Sequence, residues 1–223
     1  MSAARQKFWF ITAFVAYFAA LWWLWYTPFI YPVKLFVVLL HEISHAAVAL
    51  ATGGEVVQIA ITPAEGGLCE CPGGSAFLTL SAGYLGSLFW GALLFAGAVG
   101  RPNLSRWLMA IVGAIVLFTT LFFVGNGFGI LFGSAFGAAM VIGARYFNVS
   151  VNRWILAGLG LTSCLYAILD IKSDVLERPH LPSDAHMLAE LTGVPTVAWG
   201  LLWIAVATLV SGALVRWAWR RLD

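Results

Sequence analysis

The sequence predicts an all-α polytopic membrane protein, with about six or seven transmembrane helices and a short β-hairpin after the second. Three observations carry this. Apolar residues make up 61% of the chain and charged residues only 10%, against about a quarter charged in soluble domains, so a water-facing surface could not be covered. Charge-free stretches recur at lengths near the roughly 20 residues that a helix needs to cross a bilayer. Between the second and third of these lies one substantial insert with strand-like alternation, residues 53–74. The whole chain, 1–223, reads as a single integral-membrane domain, multi-pass and in contact with the lipid bilayer.

The first stretch, roughly 8–26, follows Arg5 and Lys7 and is rich in Trp. It lacks a small-residue cleavage site before Pro28, so it reads as a retained first span and not as a signal peptide. The second covers roughly 33–52, and the third lies within 75–99. From Trp107 to Ala144 there is no charge at all, too long for one span, and Gly125-Asn126-Gly127 divides it into two helices of near-minimal length. These two either cross or form a hairpin that crosses incompletely. A sixth stretch covers roughly 153–171 and a seventh 195–216.

Within the insert, Glu55 to Thr62 alternates loosely and stops at Pro63. Glu65-Gly66-Gly67 then turns the chain, and Leu68 to Cys71 can return as a second strand. A hairpin there could hold an extended peptide by strand addition; a plain connecting loop is the alternative. The polar interfacial segment, 172–194, contains a short helix from Ala185 to Leu191, with Ser183-Asp184 as its N-cap and Gly193 and Pro195 as its stop. Three cysteines make no disulfide framework, and Cys69 and Cys71 read as small filler rather than a second metal site. A net charge of +2 without a basic block argues against a nucleic-acid partner.

The chemistry is concentrated in His41-Glu42-Ile43-Ser44-His45. On a helix, residues four apart face the same way, so His41 and His45 can share a zinc ion, Zn2+, while Glu42 is offset by about 100° and can reach a water beside it. The motif lies in an otherwise apolar span, where ionisable groups are costly and normally functional. A catalytic zinc takes three protein ligands and keeps one position open. Asp170, near the end of the sixth stretch, is the expected third ligand, because span counting puts it at the depth of His45. The alternative for Asp170 is a helix-end carboxylate paired with Lys172 or solvated. Asp174, one turn further out, could orient a histidine, and Asp184 reads as a helix cap. Asn126 is either a turn residue or a hydrogen-bond donor to a substrate carbonyl. Gly83, Gly86 and the series Gly129, Gly133, Gly137 supply flat helix faces for close packing.

Together these features resemble the site-2 proteases, intramembrane zinc metalloproteases that cut the membrane segments of other proteins. The resemblance rests on the H-E-x-x-H helix, the hairpin, the Ala82-Gly83 to Ser87 helix and the late Leu169-Asp170, and it covers most of the chain in order. It implies His41, His45 and Asp170 as zinc ligands and Glu42 as general base. It also implies a membrane-protein substrate with a transmembrane segment. The family's Leu-Asp-Gly reads Leu169-Asp170-Ile171, and its Gly-Pro-x-x-Asn reads Gly83-Tyr84-Leu85-Gly86-Ser87. The Asn expected in the second motif is absent, and Ser87 or Asn126 stands in as a substrate-binding residue. Two readings from other classes use the same residues: a metal-binding membrane transporter or sensor, which would tolerate loss of Glu42, and a catalytically inactive membrane scaffold, which would require no zinc.

Overall fold

The computed structural model describes residues 2–25, 27–172, 175 and 183–221. Asp174 and His180 lie outside the described residues. The chain runs α1 (Ala3–Leu24), α2 (Tyr31–Ala51), β1 (Gln58–Ile61), β2 (Gly67–Glu70), α3 (Ala76–Gly100), a 3-10 turn (Pro102–Leu104), α4 (Ser105–Phe123), α5 (Gly127–Tyr146), α6 (Val149–Lys172), α7 (Asp184–Thr192) and α8 (Thr196–Arg220). Among the described residues, seven helices are long and apolar enough to cross a membrane. The pair divided at Gly125 to Gly127 forms two such helices, as the glycines and Asn126 predict. Large apolar side chains point outward all round, among them Trp23 at 85% and Leu209 at 73% exposure. A water-facing protein buries such groups, whereas lipid receives them.

Glycines set which helices touch. A Cβ at Gly160 of α6 would lie 2.6 Å from the Phe95 backbone nitrogen and 2.7 Å from the Gly91 carbonyl oxygen of α3, so the two backbones meet there. Without a hydrophobic force between helices in lipid, such close approach is a main source of association. The Ser163 hydroxyl adds a hydrogen bond to the Ser87 carbonyl across the same contact, at 2.7 Å. Gly133 and Gly137 of α5 face Thr120 and Leu117 of α4 in the same manner. Tyr17 ties α1 to α6 by donating to the Gly158 carbonyl at 2.8 Å.

The insert is a hairpin. Strands β1 and β2 are antiparallel, with Ile59 opposite Cys69 and Ile61 opposite Gly67. It is shorter than the alternation suggests, but it lies along α2 in the reverse direction. At its base the Gly54 N–H donates to Ala49 O at 2.8 Å, and at its tip the Tyr31 hydroxyl donates to Pro63 O at 2.7 Å. The outer edge of β1 is taken up by the α4–α5 connection, where Gly125 N–H donates to Ile59 O at 2.9 Å. Asn126 completes this edge as a backbone mimic. Its Oδ1 accepts from Ile61 N at 3.0 Å and its Nδ2 donates to Ile61 O at 2.7 Å. The expectation of unpaired cysteines is corrected: Cys69 and Cys71, two apart and therefore on one face of the extended chain, are joined by a disulfide.

Candidate metal centre

Helix α2 carries the centre because its apolar run supplies a continuous buried helix on both sides of the motif. Leu35, Phe36, Val37, Leu39 and Leu40 are buried before it, and Ala46 and Ala49 after it. His41 and His45 lie one turn apart with ring centroids 4.7 Å from one another. The Nδ1 of His45 is 2.6 Å from the Thr79 carbonyl of α3. A carbonyl can only accept, so Nδ1 carries the proton and Nε2 keeps its lone pair for a metal. His41 stands edge-on to the Tyr84 ring at 5.2 Å, and Tyr84 in turn packs on Trp203 of α8 at 5.0 Å.

The residue brought to these imidazoles is Asp184. Its Oδ2 lies 3.0 Å from His41 Nε2 and 3.2 Å from His45 Nε2. Helix α7 places it there. Ser183 caps the helix by accepting from the His186 N–H at 3.3 Å, and Gly193 ends it with φ 73°, the left-handed conformation that glycine adopts freely. Ala185 and Leu188 are fully buried in a cluster with Tyr84, Ile171, Val175 and Trp203, so the helix is drawn inward with Asp184 in its first turn.

The three side chains fit a metal. One donor atom from each lies within 4.8 Å of the others. Asp184 Oδ2 is buried without a hydrogen-bond partner, although both imidazole nitrogens are at ion-pair distance. The donors therefore converge on a common point and do not satisfy one another. Gly83 keeps that point clear, since a Cβ there would lie 2.5 Å from Asp184 Oδ2 and closer still to His41 Nε2. Two imidazoles and a carboxylate form a donor set that zinc accepts in catalytic sites.

Glu42 lies beside this set, buried beneath strand β2. Its carboxylate lies beside the Cys69 backbone amide and packs against Gly67, where a Cβ would collide with it.

Asp170, expected as third ligand, is not gathered with the histidines. It lines a cavity of about 600 Å³ with Lys34, Glu65, Trp25, Tyr166 and Lys172. Span counting places Asp170 near the depth of His45, but it cannot see that Asp184, beyond the span, meets the same imidazoles. Ser87 is buried in the α3–α6 contact. Asn126 spends its amide on β1. His186 pairs with Glu190 at 3.6 Å on the same short helix.

Among known proteins, no curated protein and no solved structure matches the chain. The sequence model of the Peptidase M50B-like family matches residues 14–214. This covers nearly all of the membrane helices and every side chain of the centre described above. The chain is a multi-pass integral membrane protein that belongs to the Peptidase M50B-like family, a site-2 protease-like family of zinc metalloproteases.

Proposed function

We propose that this protein is an intramembrane zinc metalloprotease that hydrolyses peptide bonds in or near the transmembrane segments of other membrane proteins. The observation that carries the reading is the convergence of His41, His45 and Asp184, with Glu42 alongside, inside an apolar helical bundle. His41, His45 and Asp184 would hold the zinc; Asp170 is left out because it is not among the donor atoms gathered there. Zinc bound there supplies a Lewis acid for the attacking water and the scissile carbonyl.

The protein groups do the rest. Thr79 holds His45 in the tautomer that leaves Nε2 free. Tyr84 fixes the ring plane of His41. Glu42 takes the proton from the attacking water and returns it to the leaving amine. Burial keeps the carboxylate away from bulk water, and the Cys69 amide orients it.

A substrate helix in lipid has every carbonyl hydrogen-bonded, so it must unwind before attack. The outer edge of β1 is already paired, whereas β2 presents its Cys69 amide toward Glu42. An unwound segment therefore binds along β2, where an extended chain exchanges one set of hydrogen bonds for another. Neither Ser87 nor Asn126 is needed as a substrate contact in this arrangement.

The test is a reporter membrane segment cleaved in vesicles, with metal content measured in parallel. The wild type holds about one zinc per chain and cleaves. Glu42→Gln keeps the zinc and loses cleavage by about 10²–10⁴-fold. Cleavage close to wild type in Glu42→Gln would favour the transporter or sensor reading, and a wild type that binds no zinc would favour the scaffold.

A further inference from the structure

Lys34 sits in the first turns of α2 with its side chain 4% exposed, and its ammonium lies 2.8 Å and 2.9 Å from the two carboxylate oxygens of Glu65 at the hairpin tip. The same ammonium lies 4.9 Å from the centre of the Trp25 ring. A lysine buried in a membrane helix is expensive and calls for a purpose. Glu65 is unusual as well. Its φ of 62° is the only positive value at a non-glycine among the described residues, a conformation that persists only where surrounding contacts enforce it. The turn's own hydrogen bonds, Glu65 N–H to Thr62 O at 3.2 Å and Thr62 N–H to Gly66 O at 2.8 Å, enforce that backbone, and the Glu65 carboxylate meets Lys34 from it.

The lever between this pair and the catalytic carboxylate is short. Two positions along the chain separate Glu65 from Gly67, which packs on Glu42, and two more along β2 reach Cys69, whose amide lies beside the Glu42 carboxylate. The other fastenings of the hairpin lie elsewhere. Its base is held by backbone hydrogen bonds from Gly54 N–H to Ala49 O and from Glu55 N–H to Pro72 O, with Gly53, Gly73 and Gly74 at φ 87°, 78° and 64°. The edge of β1 is held by Gly125 and Asn126. Beyond the packing of Gly67 on Glu42, the polar contacts at the tip, Lys34 with Glu65 and Tyr31 with Pro63, pull the far end of the hairpin against α2.

We propose that Lys34 and Glu65 are positioning residues: their ion pair clasps the hairpin tip to α2 and so holds strand β2 over Glu42. Its catalytic consequence rests on Glu42 being the general base, but the clasp itself is tested without substrate. Hydrogen exchange of the full-length, zinc-loaded protein in nanodiscs reads it. In Glu65→Gln the amides of 65–71 exchange faster by roughly tenfold to a hundredfold, the loss expected for a charged hydrogen bond. Exchange in α4 and α5 and the zinc content stay at wild-type levels, kcat on the reporter falls, and Lys34→Arg, which keeps the pair, behaves as wild type. Hairpin exchange in Glu65→Gln within about twofold of wild type, the scatter set by ordinary neutral substitutions, overturns the proposal. So does loss of protection throughout the bundle together with the zinc, which would make the pair a general support. Should Glu42→Gln still cleave, the reading of Glu42 fails while the exchange result stands, so the two failures are separable.

Discussion

At the scale of single residues, the centre is decided by which carboxylate meets two imidazoles. The H-E-x-x-H spacing was legible because it is local: four residues on a helix always share a face. The carboxylate that joins them was not legible, because Asp184 lies 139 positions after His45 and no local spacing links the two. Depth counting favoured Asp170, and the N-cap pattern at Ser183-Asp184 was correct in placing the helix start while hiding a second role for the aspartate. The two carboxylates separate cleanly by experiment. Asp184→Ala should weaken zinc binding by more than about 100-fold, beyond the 10–100-fold expected of a residue that only supports a ligand. Asp170→Ala should stay within about tenfold. Chelator competition on the purified variants measures both, and emptying by Asp170→Ala with retention in Asp184→Ala would reverse the assignment.

At the scale of elements, α7 is the piece that brings a carboxylate to the two histidines of α2. Its sequence is barely apolar enough to be held by lipid, and it is fixed instead by two side chains. Ala185 and Leu188 sit one turn apart and are fully buried against Tyr84, Ile171 and Trp203, while Leu191 on the same helix is 52% exposed. Truncating a buried leucine costs about 2–5 kcal/mol, which falls directly on the position of Asp184. Leu188→Ala is therefore expected to lower zinc affinity by at least about tenfold, although no ligand is touched, since about 1.4 kcal/mol already makes a tenfold difference. Leu191→Ala, already exposed, should leave it unchanged. Equal affinities in the two variants would mean that the loop, and not the packed face, holds the aspartate. The hairpin shows the reverse case. Its existence was legible from alternation and the Glu65-Gly66-Gly67 turn, but its partners were not. Asn126, flanked by glycines, reads equally as a turn or a donor, and only the folded chain brings its amide onto Ile61.

At the scale of the whole molecule, the parts of the centre depend on a contact far from any of them. Helix α3 carries Thr79, Gly83 and Tyr84, which hold or make room for the ligating atoms, and α6 gives Ile171 to the cluster on which Ala185 and Leu188 of α7 pack. The spacing of α3 from α6 therefore bears on the seat of the helix that carries Asp184. That spacing is set where Gly91 and Gly160 let the backbones meet. Span number and order were legible from charge-free runs, because lipid tolerates little else. Which helices touch was not legible, since glycines occur on almost every span and only geometry reveals which are used. Gly158 and Gly160 illustrate this, two positions apart on one helix. A Cβ at Gly158 would find its nearest neighbour, the Tyr17 hydroxyl, at 3.8 Å, an ordinary contact. A Cβ at Gly160 would meet backbone atoms of Phe95 and Gly91 at 2.6 Å and 2.7 Å, which no side-chain rotation can relieve. Gly160→Ala must push α6 away from α3, and overpacking of this kind costs about 1–3 kcal/mol. The expected outcome is a lower melting temperature and faster loss of zinc to chelator in Gly160→Ala, with both at wild-type values in Gly158→Ala. Thermal melts of the two variants with and without added zinc decide it. If Gly160→Ala melts early but holds zinc as tightly as wild type, the α3–α6 contact supports the bundle without setting the geometry of the centre.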